Sequence, residues 1–141
     1  MSAADIIKAL NLAPHPEGGY FRRTHKTSTE PNGRGQMTAI YYLLEGTDFA
    51  RWHRIDSDEL WLWHAGSPMT LEIQEAGNAM ATNILGNNIL AGEHPQILVP
   101  AHAWQRVRSN RDWSLVSCAV SPGFLFDTLE MATDELNLAN N

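Results

Sequence analysis

With 141 residues, 43% of them hydrophobic and 18% charged, the chain has the size and apolar content of a single globular domain spanning 1–141, which excludes disorder as its general state. A net charge of −6 with no basic stretch argues against a nucleic-acid partner, because a phosphate backbone calls for clustered Lys and Arg; no apolar run approaches the roughly 18 residues of a membrane span. The single cysteine, Cys118, has no partner for an internal disulfide, and Met1–Ala13 lacks a basic segment followed by an apolar one, so the expected address is cytoplasmic.

Ser2–Leu12 has Ile6, Ile7 and Leu10 on one face at helical spacing and is predicted as a short amphipathic helix. Pro14-His15-Pro16-Glu17-Gly18-Gly19 ends it, since two prolines and two glycines make a turn. From there the period changes to two. Strands are predicted at Tyr20–Thr27, Thr38–Leu44, Phe49–His53, Glu59–His64, Met69–Gln74, Ala79–Leu85, Ile97–Val99, Gln105–Arg108 and Ser114–Val120. Turn residues separate them, among them Pro31-Asn32-Gly33-Arg34-Gly35, Glu45-Gly46-Thr47 and Asp56-Ser57-Asp58. Thr133 reads as the N-cap of a short helix in the tail, ahead of Asp134 and Glu135. Many short strands in one domain, with a short helix at each end, predict an all-β jelly roll whose interior can hold a small ligand.

The residues richest in chemistry flank the Asp-Ser-Asp turn. If Arg51, His53 and Ile55 face one way, alternation puts Glu59, Trp61 and Trp63 together on the next strand. Neighbouring strands lie about 4.8 Å apart, so His53 and Glu59 can meet inside a barrel and form an acid–base or metal site walled by Trp. Desolvation there would raise the pKa of Glu59. Cys118 sits in an apolar strand and reads as inert packing. His64 and His102 read as turn or surface histidines, and His15, His25 and His94 carry no spacing signal.

This segment resembles the first motif of the cupin superfamily: a Gly, a His-x-His pair, a Glu, and a closing Gly. His53, Glu59 and Gly66 match in spacing, Gly46 matches with one extra residue, and Ile55 stands where the second His would be. In the second motif Pro100 matches, His102 replaces a Gly, and Gln105 replaces the last His. The whole chain is similar to the small cupins of domain-of-unknown-function family 985, through His15-Pro16-Glu17-Gly18-Gly19-Tyr20 with Arg22 and Thr24, Thr38–Leu44, Trp52-His53-Arg54, Asp58-Glu59-Leu60-Trp61, Val99-Pro100-Ala101 with Trp104-Gln105, and Ser121-Pro122-Gly123-Phe124. The resemblance implies a jelly-roll barrel, usually a homodimer, with distant kinship to sugar epimerases.

Three functions follow from it. The first is a metal-independent isomerase or epimerase on a small sugar-like or other polar substrate. In it His53 is the base, with Glu59, Tyr41 or Tyr42 as acid, and Arg22, Arg51 or Arg54 binds a carboxylate or phosphate. Tyr20, Arg22, Thr24, Arg51, Trp61, Trp63, Trp104 and Gln105 are then expected to bind the substrate, and no cofactor is expected. The second is a binding or sensing cupin without chemistry. The third is a divalent-metal oxygenase or hydrolase with His53, Glu59 and the carboxamide oxygen of Gln105 as ligands, a weak set for a transition metal.

Overall fold

The computed structural model describes residues 1–27, 34–46 and 48–133. The tail helix predicted after Thr133, the Pro31-Asn32-Gly33 segment and Thr47 therefore lie outside the described residues.

Helix α1 spans Ala3–Ala9, shorter than the predicted Ser2–Leu12. Ser2 is its N-cap and forms a capping box with Asp5: the Ser2 hydroxyl accepts from the Asp5 backbone N–H, and the Asp5 carboxylate accepts from the Ser2 N–H. Its apolar face, Ala3 and Ile6, packs with Leu12 against Leu43 on the outside of the larger sheet. Burial of a side chain such as Ile6 stabilises that docking by about 2 kcal/mol.

Eleven strands follow among the described residues: β1 (Ala13–Pro14), β2 (Tyr20–Lys26), β3 (Thr38–Glu45), β4 (Phe49–Arg54), β5 (Asp58–Gly66), β6 (Met69–Gln74), β7 (Ala81–Leu85), β8 (Gln96–Val99), β9 (Trp104–Ser109), β10 (Trp113–Ser121) and β11 (Glu130–Met131). All nine predicted strands are present, with no end moved by more than two residues. The two-residue strands β1 and β11 are additional, too short for any alternation to announce them. The strands form two antiparallel sheets, ordered β1-β2-β3-β10-β5-β8 and β11-β4-β9-β6-β7. This is the jelly roll expected from the spacing of the strands.

The inward faces of the two sheets meet in one core. It is built from Tyr42 and Leu44 of β3, Trp61 of β5, Met69, Leu71 and Ile73 of β6, Val107 of β9, and Val116 and Cys118 of β10. Alternation on β3 turns Thr38, Ile40, Tyr42 and Leu44 inward, and leaves Tyr41 and Leu43 to meet α1 and its surroundings.

Two departures from alternation matter for the site. A bulge in the β4–β9 pairing lies between Ala50 and His53, so both of those side chains are buried while Arg51 is exposed. Arg51 therefore does not share a face with His53 and Ile55, as strict alternation had suggested. A second irregularity, in β2–β3, lies between Arg23 and His25.

Candidate functional site

The turn from His15 to Gly19 delivers two side chains that no strand pattern marks. His15 N–H donates to Gly19 O at 2.9 Å, and Gly18 N–H donates to His15 O at 3.0 Å. Gly18 has a φ of +114°, and a Cβ there would meet Phe49 O at 2.5 Å, so only glycine lets the turn lie this close to β4. The Arg51 backbone N–H donates to Glu17 O at 3.2 Å, its guanidinium donates to Pro16 O at 3.1 Å, and the Tyr42 hydroxyl donates to Gly18 O. Held in this way, Glu17 is buried, with Oε2 3.0 Å from Nε2 of His53.

The proton on this pair can be assigned. His53 Nδ1 lies 2.6 Å from the carbonyl oxygen of Arg51, which only accepts, so Nδ1 carries the hydrogen and donates it. Nε2 is then the basic nitrogen, and the contact with Glu17 holds one shared proton. Burial pushes the Glu17 carboxyl up to about 8, against a smaller opposing effect of the Tyr42 hydroxyl. Burial pushes His53 below its ordinary value, partly offset by the Arg51 carbonyl and by Glu59. Both directions favour the uncharged pair, a carboxylic acid donating to a neutral imidazole.

His15 stands beside this pair. Its Nδ1 accepts from the Glu17 backbone N–H at 3.1 Å, and burial, with His53 nearby, lowers it to about 4. It is therefore a neutral imidazole whose hydrogen sits on Nε2. Phe21 and Tyr42 pack edge-on against it, with ring centroids at 4.5 and 5.6 Å.

Glu59 comes from the other sheet. Gln105, opposite His53 in the β4–β9 register and completely buried, donates its amide N–H to Glu59 Oε1 at 2.7 Å and accepts at Oε1 from the indole N–H of Trp61 at 2.9 Å. Indole nitrogen only donates, so the orientation of the Gln105 amide is determined. Burial, then the neighbouring Glu17, raises Glu59 to about 7, opposed by His53, Gln105 and the Cys118 thiol. Burial and the two carboxyls push the Cys118 thiol well up, so it is no thiolate nucleophile.

His15, Glu17, His53 and Glu59 line a cavity of about 40 Å³ whose other walls include Phe21, Ile40, Ile55, Cys118, Val120 and Phe124. Of the residues expected here from sequence, His53 and Glu59 are in it and Gln105 stands directly behind Glu59. The rest are placed elsewhere. Trp61 is core, edge-on to Tyr42 at 5.9 Å, and Trp63 donates its indole N–H to Ser67 O. Trp104 lies under the Arg54 guanidinium at 4.5 Å, and Arg54 pairs with Glu130. Tyr20 and Tyr41 pack toward α1, with Arg22 over the Tyr41 ring at 5.6 Å, and Thr24 is exposed and donates to Ala39 O. The residue of β2 that lines the cavity is Phe21, so the expected parity of that strand is reversed. Sequence alone does not place His15 and Glu17 in the site; the signals present were the double glycine that seats their turn and their position in the His15-Pro16-Glu17-Gly18-Gly19-Tyr20 segment that resembles family 985.

The donor set does not fit the metal that the cupin resemblance brings to mind. Among the described residues no group of three or more His, Cys, Asp or Glu is disposed to hold an ion. Ile55 presents hydrocarbon where an imidazole would be needed, Gln105 Oε1 is occupied by Trp61, and His53 Nε2 faces a carboxyl.

The family model for the cupin superfamily, DUF985, matches residues 4–132. A solved protein from Shewanella oneidensis is 39% identical, with a TM-score of 0.92 over 99% of this chain and 89% of that one. A hypothetical protein from Leishmania major is 30% identical, with a TM-score of 0.89 over 99% and 92%. Oxalate decarboxylase from Bacillus subtilis shares the fold alone, at 14% identity and a TM-score of 0.68, over 87% of this chain and 30% of its own. A search of curated proteins found no match. The strand order, the His53–Glu59 spacing and the nearly complete family match agree: the chain belongs to the DUF985 family of the cupin superfamily.

Proposed function

We propose that this cupin is a metal-independent isomerase or epimerase that moves a proton on the carbon beside a carbonyl group. The observation that carries the reading is the buried 3.0 Å contact between Glu17 Oε2 and His53 Nε2, at the wall of a cavity that Glu59 also lines. Such a reaction needs a base for the C–H proton, a donor for the developing enolate oxygen, and an acid to return a proton.

Each part has a candidate. Glu59, raised to about 7, is substantially ionised near neutrality and keeps Oε2 free of the Gln105 bond to act as base. The C–H electron pair moves into the C–C bond and the carbonyl pair moves onto oxygen. His15 offers a neutral Nε2–H to that oxygen. The Glu17–His53 pair gives its proton to carbon on the other face, or to the oxygen when the double bond migrates, and recovers one from solvent or product. A neutral His15 suits this role, because an imidazolium would stabilise the substrate oxygen before reaction as well as during it.

The cavity also narrows the substrate. At about 40 Å³ it has room for roughly three waters, so it takes a carbonyl and its neighbouring carbon rather than a whole sugar ring. Its apolar walls equally favour a binding cupin without chemistry, which is the second reading.

The test is solvent exchange. Small ketones and aldehydes are incubated with the protein in D2O, and loss of the proton beside the carbonyl is followed by NMR. Exchange above background, reduced about 100-fold or more in His53→Ala and Glu17→Gln, is expected. Binding without exchange in the intact protein would support the binding cupin instead.

A further inference from the structure

We propose that the ligand of this site is an anion-ended carbonyl compound with an apolar middle, its anionic end held by Arg22 and Arg23. The carbonyl head rests on the reading above; the anionic end and the apolar middle rest on a separate groove.

The inner cavity is not closed. Phe21, Thr38, Ile40 and Phe124 are shared between it and an outer groove of about 390 Å³, a size typical of small-molecule sites. A molecule that reaches the titratable groups therefore passes through the groove and leaves most of its body there. The groove walls are Phe21, Ile40, Phe124 and Phe126, with Phe126 half exposed at its edge. They suit hydrocarbon, not a row of hydroxyls.

Two cations interrupt this apolar lining. Arg22 and Arg23, neighbours in β2, both line the groove, next to the register irregularity that follows Arg23. Among the described residues neither has an acidic partner. Elsewhere Arg34 pairs with Asp56, Arg54 with Glu130 and Arg106 with Glu72. Arg23, and Arg22 with its guanidinium 5.6 Å from the Tyr41 ring, both without carboxylates in a chain of net charge −6, give the groove lining a charge complementary to an anion.

The opposite end fixes the direction. Glu17 and Glu59 both line the inner cavity, and a ligand anion there would face two carboxyls. The uncharged carbonyl therefore goes in and the anion stays out. Carboxylate and phosphate share the required chemistry.

The probes are levulinate, its longer straight-chain keto-acid homologues, the methyl ester of each, and the matching keto-alkyl phosphates. Binding is measured by calorimetry and deuterium uptake by NMR on the same samples. One chain length should bind best, and its ester should bind about 10-fold or more weakly, the equivalent of one charge-assisted contact. Arg22→Ala/Arg23→Ala should bring the anion down to the ester and leave the ester unchanged; both side chains are exposed, so the fold should survive. A stronger phosphate arm identifies phosphate as the natural end group and supports the proposal equally. Equal binding of anion and ester, an anion preference that survives the double substitution, or no binding by any probe overturns it. Anion preference without deuterium uptake would overturn only the isomerase reading, and uptake indifferent to the anion only the present one.

Discussion

Replacing Glu17 by Gln keeps an N–H donor facing His53 Nε2 but removes the group that titrates, and the effect on stability should depend on pH. In the folded chain the Glu17–His53 pair holds one proton, whichever of the two atoms carries it. Glu17 is raised from 4.5 to about 8 and Glu59 from 4.5 to about 7, while His15 is lowered from 6.5 to about 4 and His53 is lowered as well. Between about pH 4.5 and 6.5 the unfolded chain carries protons on the two histidines and the folded chain on the two carboxyls. The counts cancel and stability is level. Above 6.5 the unfolded chain has lost its histidine protons while the folded chain still holds those of Glu17 and Glu59. The folded state then binds more protons, and stability falls as pH rises.

At about 1.4 kcal/mol per proton per pH unit, the loss from pH 6.5 to 8 is about 3 kcal/mol, of which Glu17 contributes about 2. Glu17→Gln lacks this contribution, so its stability relative to the parent should rise with pH from about 4.5 upward, by about 2 kcal/mol between pH 6.5 and 8 alone. The assay is urea denaturation at half-unit pH steps, with the slope against denaturant checked for constancy. If the parent holds or gains stability between pH 6.5 and 8, or if Glu17→Gln falls just as steeply, the shared proton is absent and the acid–base reading loses its foundation.

Two further outcomes are expected. Trp61→Phe preserves the aromatic core but leaves Gln105 Oε1 buried without a donor; a loss of about 1–3 kcal/mol is expected by urea denaturation, and Gln105 becomes free to turn its oxygen toward Glu59. Gly18→Ala should cost clearly more than Gly77→Ala. Both have positive φ, but a Cβ at 18 meets Phe49 O at 2.5 Å whereas one at 77 meets nothing within 4 Å. Comparing the two melting curves isolates the clash from the strain, and equal losses would mean the Glu17 turn does not press on β4.

The β architecture was legible in the chain because its causes are local. Alternating apolar residues and turn residues between them specify each strand without reference to any other, and His53 and Glu59 stood out because they flank one short turn. The one-residue signals failed wherever a strand departs from regular pleating. The β4 bulge turned Arg51 to solvent, and β2 presented Phe21 rather than Tyr20, Arg22 and Thr24 to the cavity. Motif position offers the Gln105 oxygen to a substrate, or to a metal if one binds, whereas in the structure an indole from another strand takes it.

Sequence alone determined the nine principal strands, the family and two of the cavity's titratable residues, since periodicity and motif spacing are properties of neighbouring positions. Tertiary structure decided which proton sits where. Glu17 and His15 lie far from His53 along the chain, on a turn without periodicity, and they reach it only because β1 and β2 bring that turn against β4. Their ionisation follows from burial, and burial is a property of the assembled barrel.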